Sequence, residues 1–327
     1  MSIGMKISFL ALATGELLAG MLGNGLIGLV NCMEWVRSRK VSSADFILTS
    51  LSMARIIQLW VILFDSFIMG LFPHLYATGK LAKLVTILWA LMNHLTTWFA
   101  TCLSVFYLFK IANFSHFFFT WLKWRMNRVV LVLFLGSLLL LPVSLSVQDP
   151  VCELWMNAYR VDERNMTLHL DGITMSYFKN HILLSMTYII PFLLSLTSLL
   201  LLLLSLVRHT KNLQLNGSKD SSTEAHKRAM KMVTTFLFLF VIYFASTLIG
   251  SWMLFKVQRY QAMMFVMVIS TVFPSGHAFI IILGNSEDAC SKTLSICSAI
   301  FKSWRTFDKC LSENIYKNLH IIIVLRC

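Results

Sequence analysis

Residues 51–70 read LSMARIIQLWVILFDSFIMG, a stretch apolar enough for lipid except for Arg55 inside it and Asp65 near its far end. A charge at bilayer depth costs roughly 3 kcal/mol on insertion scales and more in simulations, so Arg55 marks either a structural polar clamp or a functional site. In the preceding segment Glu16, Gly20, Asn24 and Gly28 recur every fourth residue and share one helical face. Small residues there let a neighbouring helix come close, and Asn24 offers it an amide and a carbonyl. At about 1.5 Å per residue, Asn24 and Arg55 stand at similar depth, about 13 and 16 Å from the adjoining ends of their helices. Arg55 is therefore expected to donate to Asn24 and to main-chain carbonyls of neighbouring helices. Asp65 is too far round and along the helix to pair with it; Asp65 and Glu16 both lie near the outer end, where water is close.

A second polar set lies in WALMNHLTTWFATCLSVFYLFKIANFS, where Trp89 and Asn93 are one turn apart on one face. A ring beside an amide suits a ligand that is part apolar and part polar, and equally suits helix packing around a satisfied amide. His94 points about 100° away, which favours an inter-helix contact. Pro191 and Pro274 each remove a backbone hydrogen bond and permit a bend, with His277 three residues beyond Pro274. No Cys/His spacing resembles a metal site, and there is no GxSxG, HExxH or P-loop motif. The Ser and His residues are dispersed. An enzyme, and any cofactor or metal, is not expected.

These residues need a scaffold, and composition says which. The 327 residues are 57% hydrophobic and 13% charged, with a mean hydropathy of +0.72, against about 25% charged in soluble domains. Apolar runs long enough to cross a ~30 Å core recur at about 7–33, 44–72, 84–109, 129–147, 181–207, 232–255 and 261–284. The first is glycine-rich and contains Glu16, but it lacks the basic start and cleavage site of a signal peptide. An all-α seven-helix membrane bundle over residues 1–284 follows, with a tail over 285–327. Lys and Arg gather at 37–40, 110–128, 208–231 and in the tail, whereas only Lys6, Lys80, Lys83, Arg160, Arg164, Lys179, Lys256 and Arg259 fall on the other side. That asymmetry puts the N-terminus outside and the tail in the cytoplasm. The formal charge of +13 then needs no nucleic acid, since a basic inner face meets anionic lipid.

Of the sequons at Asn113, Asn165 and Asn216, only Asn165 in the 148–180 loop faces the lumen during synthesis. Cys152 is the one cysteine expected outside, so no ectodomain disulfide is expected. The loop LVRHTKNLQLNGSKDSSTEAHKRAMKMV crowds Lys227, Arg228 and Lys231 into the first turns of a helix, where positive charge is unfavourable. It reads either as a surface kept for an acidic partner or as ordinary inside-positive charge. In the tail, Cys290, Leu294, Cys297, Phe301 and Trp304 form a helical stripe suited to the inner leaflet. Cys290 and Cys297 are candidate acylation sites.

Together these segments resemble the bitter taste receptor family (type 2 taste receptors), which are seven-helix G-protein-coupled receptors. The resemblance runs through about 10–286. It rests on the Glu16–Gly20–Asn24 ladder, SADFILTSLSMARI, WFATCLSVFYLFKIANFS, PFLLSLTSLLLLLLSLVRHTKNL and DSSTEAHKRAMKMVTTFLFLFVIYFAS. It implies an outward-opening pocket for small-molecule bitter agonists, with Trp89 and Asn93 at ligand-contact positions. Tyr243 stands as the central switch residue of the sixth helix, and Met267 at a contact position of the seventh. Beside it, the buried polar and bending residues Asn24, Arg55, Pro191 and His277 are expected to form a polar switch, and Tyr107, Lys110, His209, Lys227 and Lys231 a G-protein contact surface. The partner would be a heterotrimeric G protein of the gustducin-like, inhibitory class, acting through phospholipase C at the plasma membrane. The family's His-Ser pair reads His277-Ala278 here, and Glu287-Asp288 replaces the usual basic continuation after ILGNS. A type 1 vomeronasal-like chemoreceptor and a small multi-pass transporter are the alternatives.

Overall fold

The computed structural model describes residues 3–39, 42–72, 75, 80–161, 170–215, 230–231, 233–246, 248–249 and 275–276. Among them every regular element is helical: α1 (Ile3–Ser38), α2 (Ser43–Leu71), α3 (Lys80–Ile111), α4 (Phe117–Trp124), α5 (Met126–Val161) and α6 (Leu170–Leu215), followed by the Val233–Ser246 helix. α1 packs on α2, α2 on α3, α3 on both α5 and α6, and α5 on α6.

Local chemistry sets the joints. α1 ends with Arg39 in the left-handed region (φ 51°), its N–H bonded to Trp35 O at 2.9 Å, a helix stop that more often uses glycine. Ser42 then caps α2, accepting from the Ala44 N–H at 3.3 Å. α5 and α6 run well beyond the apolar runs expected at 129–147 and 181–207, because a helix need not stop where the hydrocarbon does. α4, with the sequence FFFTWLKW, is an element the apolar-run reading missed. Eight residues are too few to register as a span.

Four described helices are long and apolar enough to cross a membrane: Leu10–Arg37, Ser43–Ile68, Met126–Ser146 and Met186–Lys211. On α2 the exposed Phe46, Met53, Trp60, Phe64, Phe67 and Leu71 form a continuous apolar stripe. α5 and α6 expose similar leucine-rich faces. In water such patches would be an aggregation hazard; against lipid they are the expected outer surface.

α3 is different. Between Asn93 and Phe109 only Leu95, Phe99 and Tyr107 escape full burial, so this helix is enclosed by protein on nearly every side. That enclosure explains its polarity. Asn93, His94, Thr96, Thr97, Thr101 and Ser104 face neighbouring helices rather than lipid chains. Around it sits the main core, in which Leu103 and Phe106 of α3 meet Leu51 of α2, Leu199 of α6 and Phe236, Phe240 and Tyr243 of the Val233–Ser246 helix.

Candidate functional site

Asn24, Arg55 and Asn93 are each only 1% exposed. The Asn24 Nδ2 donates to Gly20 O of its own helix at 2.8 Å. Arg55 lies within electrostatic reach of the Tyr243 hydroxyl. The α1 ladder makes its close approach at Gly20. A Cβ there would stand 2.9 Å from Ser275 Cβ and 3.0 Å from Leu59 Cδ1, with Ser275 Oγ nearer still. Ser275 Oγ donates to Glu16 O at 3.3 Å, which fastens Ser275 to α1. Gly28 shares the ladder's face, yet no described atom comes within 4 Å of where its Cβ would be.

The centre of the site is the Asn93 side chain. Its Oδ1 accepts from Gln58 Nε2 at 3.3 Å and from the Tyr243 hydroxyl. Three elements are thereby joined at one oxygen: α2, α3 and the Val233–Ser246 helix. The remaining polar atoms are less well served. Among the described residues Asn93 Nδ2, Gln58 Oε1, Thr96 Oγ1 and the Tyr188 hydroxyl are buried with no hydrogen-bond partner. The Tyr188 hydroxyl lies beside the Asn93 side chain, and a buried polar atom without a well-formed bond costs about 1–3 kcal/mol, so this amide is the point where an external partner or water would be taken up. Tyr188, on α6 beside Phe244, interacts electrostatically with Tyr243.

Trp89 lies one turn before Asn93 on α3, half-buried against Leu17, Leu59 and Ile62, with Met21 and Leu63 alongside. An apolar wall therefore stands above a polar floor. His94, turned away from that face, brings its Nε2 to 3.1 Å from Ser137 O of α5 and is an inter-helix contact.

Below the floor a ladder of hydroxyls runs toward the other end of α3. Thr97 Oγ1 donates to Asn93 O at 2.8 Å, and Thr101 Oγ1 shares its proton between Thr97 O at 2.9 Å and Pro191 O at 3.2 Å. Ser195 Oγ donates in turn to Thr101 Oγ1 at 2.8 Å. Pro191 has no N–H to give to the preceding turn, and α3 crosses to α6 beside that gap. Gln58, Thr97, Thr101, Tyr188 and Ser195 were not singled out from the sequence. The available signal was weak: polar side chains in apolar runs, of which Ser and Thr can always satisfy themselves on their own helix.

At the far end Tyr107 packs against both the main core and a cluster of Leu108, Ala112, Leu202 and Leu206, which Val233 also joins. Tyr107 feels the Asp45 carboxylate in the first turn of α2. Lys110 is exposed, its Nζ 5.6 Å from the Phe106 ring, and His209 and Lys231 are exposed near the same end. Met267, His277, Lys227, Asn165, Cys290 and Cys297 lie outside the described residues.

Comparison with known proteins gives this arrangement a family. Residues 1–297 match the family described as taste receptor protein (TAS2R). Among similar relatives, a chimpanzee (Pan troglodytes) taste receptor type 2 member 42 is 53% identical over 284 residues, covering 85% of this chain and 90% of that protein. The rhesus macaque (Macaca mulatta) member 42 is 52% identical over 292 residues, covering 88% and 92%. A baboon (Papio hamadryas) taste receptor type 2 member 7 is 43% identical over 290 residues, covering 86% and 90%. A multi-pass bundle with a polar centre, matched nearly end to end, is a receptor and not an enzyme: the chain belongs to the type 2 taste receptor family.

Proposed function

We propose that this receptor binds bitter small molecules in the half of the bundle that holds Trp89 and Asn93, and that binding activates a G protein. The N-terminus is outside and the chain crosses the plasma membrane seven times. The observation that supports the site is the Asn93 amide, whose oxygen is shared by Gln58 and Tyr243 while its Nδ2 makes no well-formed hydrogen bond among the described residues and has the Tyr188 hydroxyl beside it. An agonist carrying a carbonyl, ether or hydroxyl oxygen can take that donor while its apolar part lies on Trp89. Tyr243 and Met267 complete the contact surface. Met267 makes that wall apolar, so no cationic group is required of the ligand.

Activation is a population shift. A ligand biases two packings only through its different affinity for each. The agonist competes for Asn93, loosens its tie to Tyr243 and favours an outward-moved base of the sixth helix. Asn24, Arg55, Pro191 and His277 form the polar and bending elements that allow two packings. The opened inner crevice, near Tyr107, Lys110, His209, Lys227 and Lys231, receives the α subunit of a gustducin-like G protein of the inhibitory class, with phospholipase C downstream. Asn165 carries an oligosaccharide in the outer loop, and Cys290 and Cys297 carry acyl chains in the tail.

The test is calcium imaging of cells that express this chain with a promiscuous G protein, screened against a panel of bitter compounds. Agonists found this way are expected to lose potency on Asn93→Ala and Trp89→Ala at unchanged surface expression. If every agonist keeps its potency in both variants, the pocket is elsewhere.

A further inference from the structure

The function described above leaves α4 without a role. On a helical wheel Phe117, Phe118, Trp121 and Trp124 fall within about a third of the circumference, and they are 83%, 59%, 42% and 91% exposed. The opposite side is held fast. The Phe119 ring packs at 5.5 Å from Phe109 and 5.0 Å from Phe114. Lys123 Nζ donates to Ala112 O at 2.8 Å, which ties α4 to the end of α3. Pinned in this way, α4 cannot roll its four exposed rings into the protein.

Two features identify what covers them. The first is continuity: only Arg125 separates α4 from α5, whose apolar membrane-spanning stretch starts at Met126 and exposes Leu131, Val132 and Leu135. The aromatic face therefore lies at the level where lipid-facing surface begins. The second is charge. Arg125, its guanidinium 4.7 Å from the Trp121 ring, and Arg128 are exposed beside that face, and the chain has no Asp or Glu from Lys110 to Gln148. Aromatic rings flanked by arginine are the composition of a membrane-interface anchor, and the inner leaflet supplies the opposite charge.

We propose that α4 is a lipid-binding element, whose Phe117, Phe118, Trp121 and Trp124 enter the headgroup–acyl boundary of the inner leaflet while Arg125 and Arg128 engage anionic headgroups. This rests on the cytoplasmic placement of that end of the bundle. By holding α4 in the interface, the bilayer fixes the height and tilt of the α3–α5 junction, so that leaflet charge becomes an input to the receptor.

The experiment uses the full-length chain in nanodiscs, labelled with an environment-sensitive fluorophore at Phe117→Cys, Trp124→Cys or, as a water-facing reference, Asn113→Cys. The parent chain treated identically gives the background from native cysteines. For an interfacial helix buried about 5–10 Å deep, shallow nitroxide lipids should quench positions 117 and 124 about twofold more than deep ones, and aqueous iodide should quench them about threefold less than position 113. Adding phosphatidylserine to phosphatidylcholine discs should strengthen the shielding, and Arg125→Gln with Arg128→Gln should abolish that increment. Iodide access at 117 and 124 equal to that at 113 would overturn the proposal. So would shielding that appears only when a G-protein heterotrimer is added, because the face would then be a protein-docking surface.

Discussion

Replacing Tyr243 by Phe removes one oxygen and leaves a ring of nearly the same shape in the core beside Phe236 and Phe240. What is lost is the hydroxyl's bond to Asn93 Oδ1. That oxygen is not stranded, since Gln58 Nε2 still donates to it, so the tie to Asn93 is lost without orphaning its acceptor. Its net worth is about 1 kcal/mol, or about a fivefold change in a two-state equilibrium. The sign follows from the packing. Val233 sits against the cluster of Leu108, Leu202 and Leu206, and Phe236 and Phe240 sit in the main core, so the base of this helix is closed against α3 and α6. Weakening its tie to Asn93 should populate the opened form. In nanodiscs with purified G protein, ligand-independent nucleotide exchange is expected to rise about fivefold. In an Asn93→Ala background the same substitution should add nothing. Unchanged basal exchange in Tyr243→Phe, or full additivity of the two substitutions, would refute the reasoning.

Gly20→Ala should lower the Tm of the purified receptor, because overpacking against Ser275 costs about 1–3 kcal/mol against about 1 kcal/mol gained in helix propensity; Ser275→Gly should restore it, and Gly28→Ala should not lower it. Thr101→Val and Ser195→Ala should prove non-additive in thermal unfolding by about 1 kcal/mol, as partners in one buried bond, and a coupling near zero would remove the hydroxyl ladder as a link between α3 and α6. Arg55→Ala, at normal surface expression, should weaken agonist-driven activation about tenfold, equivalent to ~1.4 kcal/mol; normal activation would reduce Arg55 to a passive clamp.

Much of the scaffold was legible because lipid imposes one rule, that spans are apolar and about twenty residues long. The runs at 44–72 and 84–109 became Ser43–Leu71 and Lys80–Ile111, within a few residues. Asn93 stands out in the sequence as an amide within an apolar run, and the structure buries it. Its partners do not stand out. Gln58 lies one turn from Arg55 and reads as another tolerated polar residue; only the packing of α2 on α3 points it at Asn93. The hydroxyls were hidden for a different reason. Ser104 bonds to Ala100 O and Thr210 to Leu206 O, each within its own helix, and nothing in the sequence marks Thr101 and Ser195 as hydroxyls that also bond across helices. Choosing a type 2 taste receptor over a vomeronasal receptor or a transporter rested on the order of several motifs, which the family match bears out.

The glycine ladder of α1 shows where sequence periodicity stops informing. Spacing by four defines a face, and Gly20 and Gly28 sit on it equally. A straight neighbour lying along that face would need both glycines. One that crosses at an angle touches at a single point and then diverges, and only the residue at the crossing must be small. Among the described residues Ser275 meets Gly20 and nothing meets Gly28, so the close approach they make is at Gly20. That close approach lies one turn from Asn24, whose amide turns back to Gly20 O. Close approach and polar centre are therefore built on the same turn of α1, and a side chain added at Gly20 would push the Ser275 segment away from the very level at which Asn24 and Arg55 are buried.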